Sequence, residues 1–238
     1  MKKRIFLLTI LAALIFNFCQ NAFAKSETLS SSPDLLHTIE QKYGWKLDGD
    51  YTDENLMTIL EAGALIESYL TSLSQRDGQA WIQTYLGNAK FHLNGALTNS
   101  ARNHKVRGFV FPNTDIYLPA EFTARVVIHE LGHVLDNNQG ETISSVWFGG
   151  GPADQMIQDC GGHPDEIPFP HFKDRADYRA QYSGPEAWPE YMLGARNPTD
   201  DFADTFLVAV TGEAFASNIQ DFVPQRLAWM DAYVTNLQ

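Results

Sequence analysis

His129-Glu130-Leu131-Gly132-His133 lies inside an apolar run from Phe122 to Asp136, and this pentapeptide constrains the chain more than any other segment. Two histidines four apart share one face of an α-helix, one turn above each other, so both imidazoles can reach a single metal ion. Glu130 stands about 100° around the helix from His129, placed to reach a water beside that ion without binding the ion itself. Neutral imidazole is an ordinary zinc ligand, and a catalytic zinc site takes three protein ligands and leaves one position open. In a chain of this His and Glu content the pattern arises by chance in roughly one case in a hundred. A surface helix with two solvated histidines would leave Val126, Val127, Ile128, Leu131, Val134 and Leu135 unexplained. The motif therefore predicts a buried helix with one metal-binding face.

The first 24 residues read as an export signal rather than as part of the fold. Lys2, Lys3 and Arg4 form a basic start, Ile5 to Phe18 an apolar stretch, and Ala22-Phe23-Ala24 a small-residue cleavage site before Lys25. The apolar stretch is about 14 residues, short of the roughly 20 that a membrane span needs. Cys19 follows Phe18, where a lipid-modified cysteine would need a small residue before it. The expectation is a secreted or periplasmic protein with no stable membrane insertion, and no other stretch is read as a span.

Seventeen Lys and Arg against 29 Asp and Glu give a formal charge of −12. Such a chain is a poor partner for nucleic acid or an anionic membrane. Loss of Cys19 with the signal leaves Cys160 as a lone thiol, so no internal disulfide can form and stability must come from the core.

Ser32-Pro33 reads as a helix start and Gly44 as its stop. From Thr52 to Leu73, apolar residues recur at three- and four-residue steps, which predicts a long amphipathic helix, and a shorter one spans Gln79–Leu86. Lys90–Leu93, Val106–Phe111 and Asp115–Leu118 are short β-prone segments and predict a small sheet just upstream of the motif helix. Asn137 to Pro198 is rich in Gly, Pro, Asp and aromatics without clear periodicity, and is expected to be ordered but irregular, wrapped around a cleft. Two more helices are expected, over Thr199–Val210 and Pro224–Asn236. The fold class is thus α+β, mainly α, with a small sheet beside the motif helix. The chain divides into 1–24 as signal, 25–88 as an N-terminal helical region and 89–238 as the catalytic region, the last two expected to form one compact unit.

Two histidines need a third ligand. A glycine three residues after His133 with a ligand three further on is one solution, but those places hold Asp136 and Gln139. Asp136 is expected to hydrogen-bond near the helix end instead. A carboxylate from a later helix is the other solution, and Asn197-Pro198-Thr199-Asp200-Asp201-Phe202-Ala203-Asp204-Thr205-Phe206 supplies it. Asp200 and Asp204 share one helix face while Phe202 and Phe206 share another. Acidic side chains also suit a helix N-terminus, so simple capping is the competing account.

The two segments together, His129 to Asp136 and Asn197 to Phe206, resemble the gluzincin-type zinc peptidases related to the anthrax-toxin lethal-factor catalytic domain. The likeness spans about Gly108–Asp136 and Gly194–Phe206 and leaves the N-terminal third uncovered. It implies a zincin-like metallopeptidase domain, with Zn2+ as cofactor and a peptide or protein as substrate. Matched position by position, Asp200 takes the ligand place and Asp204 the supporting one, where the family has glutamates. Aspartate is shorter by one methylene, so the later helix must approach closer, or Asp204 or Asp201 must ligate instead. Asp200 ranks first as ligand, Asp204 second and Asp201 third.

The expected activity is hydrolysis of a peptide bond by water, with Glu130 as general base. An oxyanion donor is also needed. The family places a tyrosine where Leu193 stands here, so Tyr191 is the nearest substitute, with Tyr182 and His171 behind it. The segments at 108–111 and 115–118 could offer an edge strand to an extended peptide. Cys160-Gly161-Gly162-His163-Pro164-Asp165 is read as unrelated to the metal. The alternative from another class is a zinc-binding, non-catalytic interaction domain on a peptidase scaffold. Glu130 favours the enzyme, since metal binding alone would not require it.

Overall fold

The computed structural model describes residues 32–74, 77–93, 98–99, 104–105, 109–110, 114–138, 151–163, 184, 186, 188, 198–212 and 223–237. Helix α1 (Ser32–Tyr43) carries Asp34 in its first turn and Lys42 in its last, each suited to the helix dipole there. It stops at Gly44, whose φ of 79° is a left-handed conformation that favours glycine. Strand β1 (Lys46–Asp48) follows, then α2 (Asp53–Ser74) and α3 (Gly78–Tyr85). The Asp77 carboxylate caps α3 by accepting from the backbone N–H groups of Gln79 and Ala80.

Strand β2 (Lys90–Leu93) leads to β3 (Thr98–Asn99), β4 (His104–Lys105), β5 (Phe109–Val110) and β6 (Asp115–Leu118). The main sheet has the order β1-β2-β6-β5; β1, β2 and β6 run parallel, and β5 runs antiparallel to β6 at the edge. Strands β3 and β4 form a separate antiparallel pair. Alternation puts Phe91, Ile116 and Leu118 on the buried face. His92 takes the other face, stacked on Tyr117 and held between Asp48 and Asp115 at 3.1 and 2.7 Å.

The motif helix α4 (Ala124–Asn138) packs against α2, against β5 and above all against α6 (Pro198–Thr211). Helix α7 (Pro224–Asn236) packs on α6, and also on α2. Leu56, Ile59, Ala62, Ile66 and Leu70 of α2 meet Val127, Ile128, Leu131, Val134 and Leu135 of α4 and Phe202 and Phe206 of α6 in one core. Burying each of the larger side chains among these stabilises by about 1.5–3 kcal/mol. The Trp81 indole N–H donates to the Val234 carbonyl at 3.2 Å and ties the end of α7 to α3. Segments on both sides of residue 88 share this core, and β1 pairs directly with β2.

One sequence expectation needs correction, and the structure adds three further points. The stretch from Asn137 to Pro198 is not irregular throughout, because Pro152–Asp159 forms helix α5. Pro152 sits in its first turn, Ala153, Met156 and Ile157 give it a buried face, and the chain leaves through Gly161 at φ 84°. Strand β1 was not expected, being three residues long and bounded by Gly44 and Gly49. Within the segment 106–111 the strand occupies Phe109–Val110, the other residues lying outside those described. Lastly, Asp53–Leu73 is by length and composition apolar enough to cross a membrane. Its inward face is the core just described, and Glu54 and Glu61 lie exposed on its outward face.

Candidate metal centre

His129 and His133 project from one face of α4 with ring centroids 4.8 Å apart and planes nearly perpendicular. Their Nε2 atoms point to one carboxylate. Asp200 Oδ1, in the first turn of α6, lies 3.4 Å from His133 Nε2 and 3.8 Å from His129 Nε2. Ligand atoms about 2.1 Å from a tetrahedral ion stand about 3.4 Å from one another, so these spacings suit one small divalent cation. His129, His133 and Asp200 form the one such group among the described residues, their ligand atoms all within 4.8 Å. His129 is buried, whereas the His133 and Asp200 side chains each remain 17% exposed.

The close helix approach has a local cause. Gly132 stands between the two histidines, and a Cβ built there would lie 2.9 Å from Ala203 Cα and 3.3 Å from Ala203 Cβ. Any side chain on Gly132 would push α6 away. Glycine facing alanine brings the backbones together, so an aspartate can reach where a longer carboxylate would otherwise be needed.

Asp204, one turn after Asp200, lies on the far side of His129. Its Oδ1 is 2.9 Å from His129 Nδ1, although the ring N–H does not aim squarely at it. It stands outside the ligand cluster, beside the His129 ring nitrogen that faces away from Asp200. Burial alone would lower the His129 pKa, but Asp204, with Glu130 and Asp200, outweighs it and holds it at about 9.

Glu130 is buried beside this cluster, and its Oε2 has no hydrogen-bond partner among the described residues. Burial pushes its carboxyl pKa up, against the pull of His129 and His133. A buried carboxylate oxygen without a partner is costly, so one here points to a ligand or water that completes it.

Asp201 faces away from the cluster and cannot be the third ligand in this arrangement. It pairs with Arg226 and accepts from the Trp188 indole, while burial pushes its carboxyl up to about 6. Asp136 accepts from the Ala153 N–H at 2.9 Å and so caps α5 from the end of α4; burial lifts its pKa to about 7. Cys160 is a buried free thiol at the end of α5, raised to about 11 by burial, and neither it nor exposed His163 belongs to the ligand cluster. Tyr191, Tyr182, His171 and Leu193 lie outside the described residues.

Sequence reasoning missed the Gly132–Ala203 contact and the Arg226–Asp201 pair. The glycine was visible within the motif, but its partner was not. Arg226 carried no signal, since it stands in the first turn of a helix with few charges. Neither a protein-family model, nor a curated protein, nor a solved structure matches this chain.

Proposed function

We propose that this chain is an exported zinc-dependent metallopeptidase of the zincin-like type, with His129, His133 and Asp200 as ligands and Glu130 as general base. The observation that carries the reading is the convergence of three ligand atoms beside a buried Glu130 oxygen that has no partner among the described residues. A domain that only binds metal has no need of such a carboxylate. The donor set of two imidazoles and one carboxylate is one zinc favours, although other divalent ions accept it too.

A zinc ion bound there would supply Lewis acidity to a substrate carbonyl and to water. Glu130 then accepts a proton from the attacking water and passes it to the leaving amine. Its raised pKa suits both halves of that cycle, since a stronger acid would hold the proton too weakly. Asp204 holds His129 with Nε2 toward the centre throughout. Strand β5, at the sheet edge and against α4, is the place for an extended peptide to add as a further strand. Tyr191 remains the proposed oxyanion donor.

The test compares wild type with Glu130→Gln on an unbiased peptide library, with zinc content measured on both. Glu130 is not a ligand in this reading, so the variant should keep its zinc while hydrolysis falls at least 100-fold. Equal turnover would remove Glu130 from the chemistry. Zinc binding with no cleavage by either protein would favour the non-catalytic interaction domain.

A further inference from the structure

Helix α6 begins with two adjacent carboxylates that face different parts of the molecule. Asp200 turns toward His129 and His133, and Asp201, about 100° around the helix, turns into the protein toward α7. Asp201 Oδ1 accepts from Arg226 Nε at 2.7 Å and from Trp188 Nε1 at 3.0 Å, and its Oδ2 accepts from Arg226 Nη2 at 3.1 Å. Arg226 Nη1 donates to the Glu186 carbonyl. The Glu186 carboxylate in turn accepts from the N–H groups of Gln225 and Arg226, capping the first turn of α7. Asp201, Arg226 and Trp188 are fully buried, and Glu186 nearly so.

None of these groups reaches the ligand atoms. Apolar residues of similar volume stabilise a fold as well as a buried ion pair does, so stability alone does not account for this one. Its distinctive product is geometry. The planar guanidinium engages both oxygens of one carboxylate and allows it one orientation. That carboxylate belongs to the residue next to Asp200, in a helical first turn whose own N–H groups have no partners in the helix.

We infer that Arg226 is a positioning residue for the metal centre: its grip on Asp201 fixes the first turn of α6 and thereby aims Asp200 at the two histidines. The inference rests on reading His129, His133 and Asp200 as the ligands. Lysine at 226 would keep the charge but lose the two-point grip.

Zinc dissociation constants and Co2+ absorption spectra are to be measured for the full chain, for Arg226→Lys, for Asp200→Ala and for the double variant. Each is confirmed folded by circular dichroism, because a change in global stability alone leaves the metal affinity of folded protein unmoved. Arg226→Lys should weaken zinc binding 10–100-fold, the usual loss when a ligand's support is removed, and should alter the Co2+ spectrum. On the Asp200→Ala background the same change should do nothing further. Unaltered affinity and spectrum in Arg226→Lys would overturn the inference, as would an equal loss on the Asp200→Ala background. If Arg226→Lys does not fold, Asp201→Asn takes its place with the same expected results. Should wild type bind neither metal, the ligand reading itself fails and takes this one with it.

Discussion

Gly132 of the motif helix packs directly on Ala203 of the helix that bears Asp200, with the site of a Gly132 Cβ only 2.9 Å from Ala203 Cα. The two positions lie between the histidines on one side and between Asp200 and Asp204 on the other. Their contact therefore sets the distance across which the proposed ligands meet.

Gly132→Ala should separate the helices. Alanine gains about 1 kcal/mol in helix propensity over glycine, but the overpacked contact costs about 1–3 kcal/mol. A small net loss of stability is expected in urea denaturation, together with a zinc affinity at least tenfold weaker. Ala203→Gly on that background removes the 3.3 Å contact but not the 2.9 Å one, so rescue should be partial. Unchanged zinc affinity in Gly132→Ala would show that helix spacing does not govern the centre.

Asp200 and Asp204 should separate cleanly by zinc content after dialysis. Asp200→Ala removes an oxygen 3.4 Å from His133 Nε2 and should leave the protein essentially zinc-free at micromolar metal. Asp204→Ala removes a contact to the far nitrogen of His129 and should weaken zinc about 10–100-fold while leaving one equivalent bound at saturation. The reverse pattern would exchange the two roles.

The helical frame was legible wherever residues obey a 3.6-residue period over several turns. Leu56, Ile59, Ile66 and Leu70 on α2 and the four-residue step from His129 to His133 are of this kind, because their faces follow from local geometry. Helix α5 escaped notice because its eight residues sit in a long window dominated by Gly, Pro and aromatics. Gly151-Pro152 at its start and Gly161 after its end were nonetheless ordinary signals. The ranking of Asp200 over Asp201 rested on a motif match. What separates them physically is Arg226, a partner 25 residues away from Asp201 that no local pattern connects. The Gly132 contact was hidden for the same reason, since a close approach belongs to two helices and the sequence displays each alone.

The metal-free protein should lose stability as pH rises from about 6.5 to about 9. His129 has an ordinary pKa of 6.5 when unfolded and about 9 in the fold, where Asp204 faces its Nδ1. A folded pKa raised above the unfolded one means that the native state binds the extra proton. The stabilisation is thus complete below pH 6.5 and disappears as pH passes 9, a change on the order of 1–3 kcal/mol. Asp136, raised from 3.8 to about 7, adds a decline in the same direction at lower pH. Urea midpoints of chelator-treated protein at about pH 6.5, 8 and 9.5 should therefore fall in that order, and Asp204→Asn should flatten the upper part of the curve. Zinc needs the neutral imidazole, so binding at about pH 7 should release a proton from His129. Calorimetry in buffers of different ionisation enthalpy measures that release directly. Binding with no proton release at that pH would show that His129 is already neutral beside Asp204.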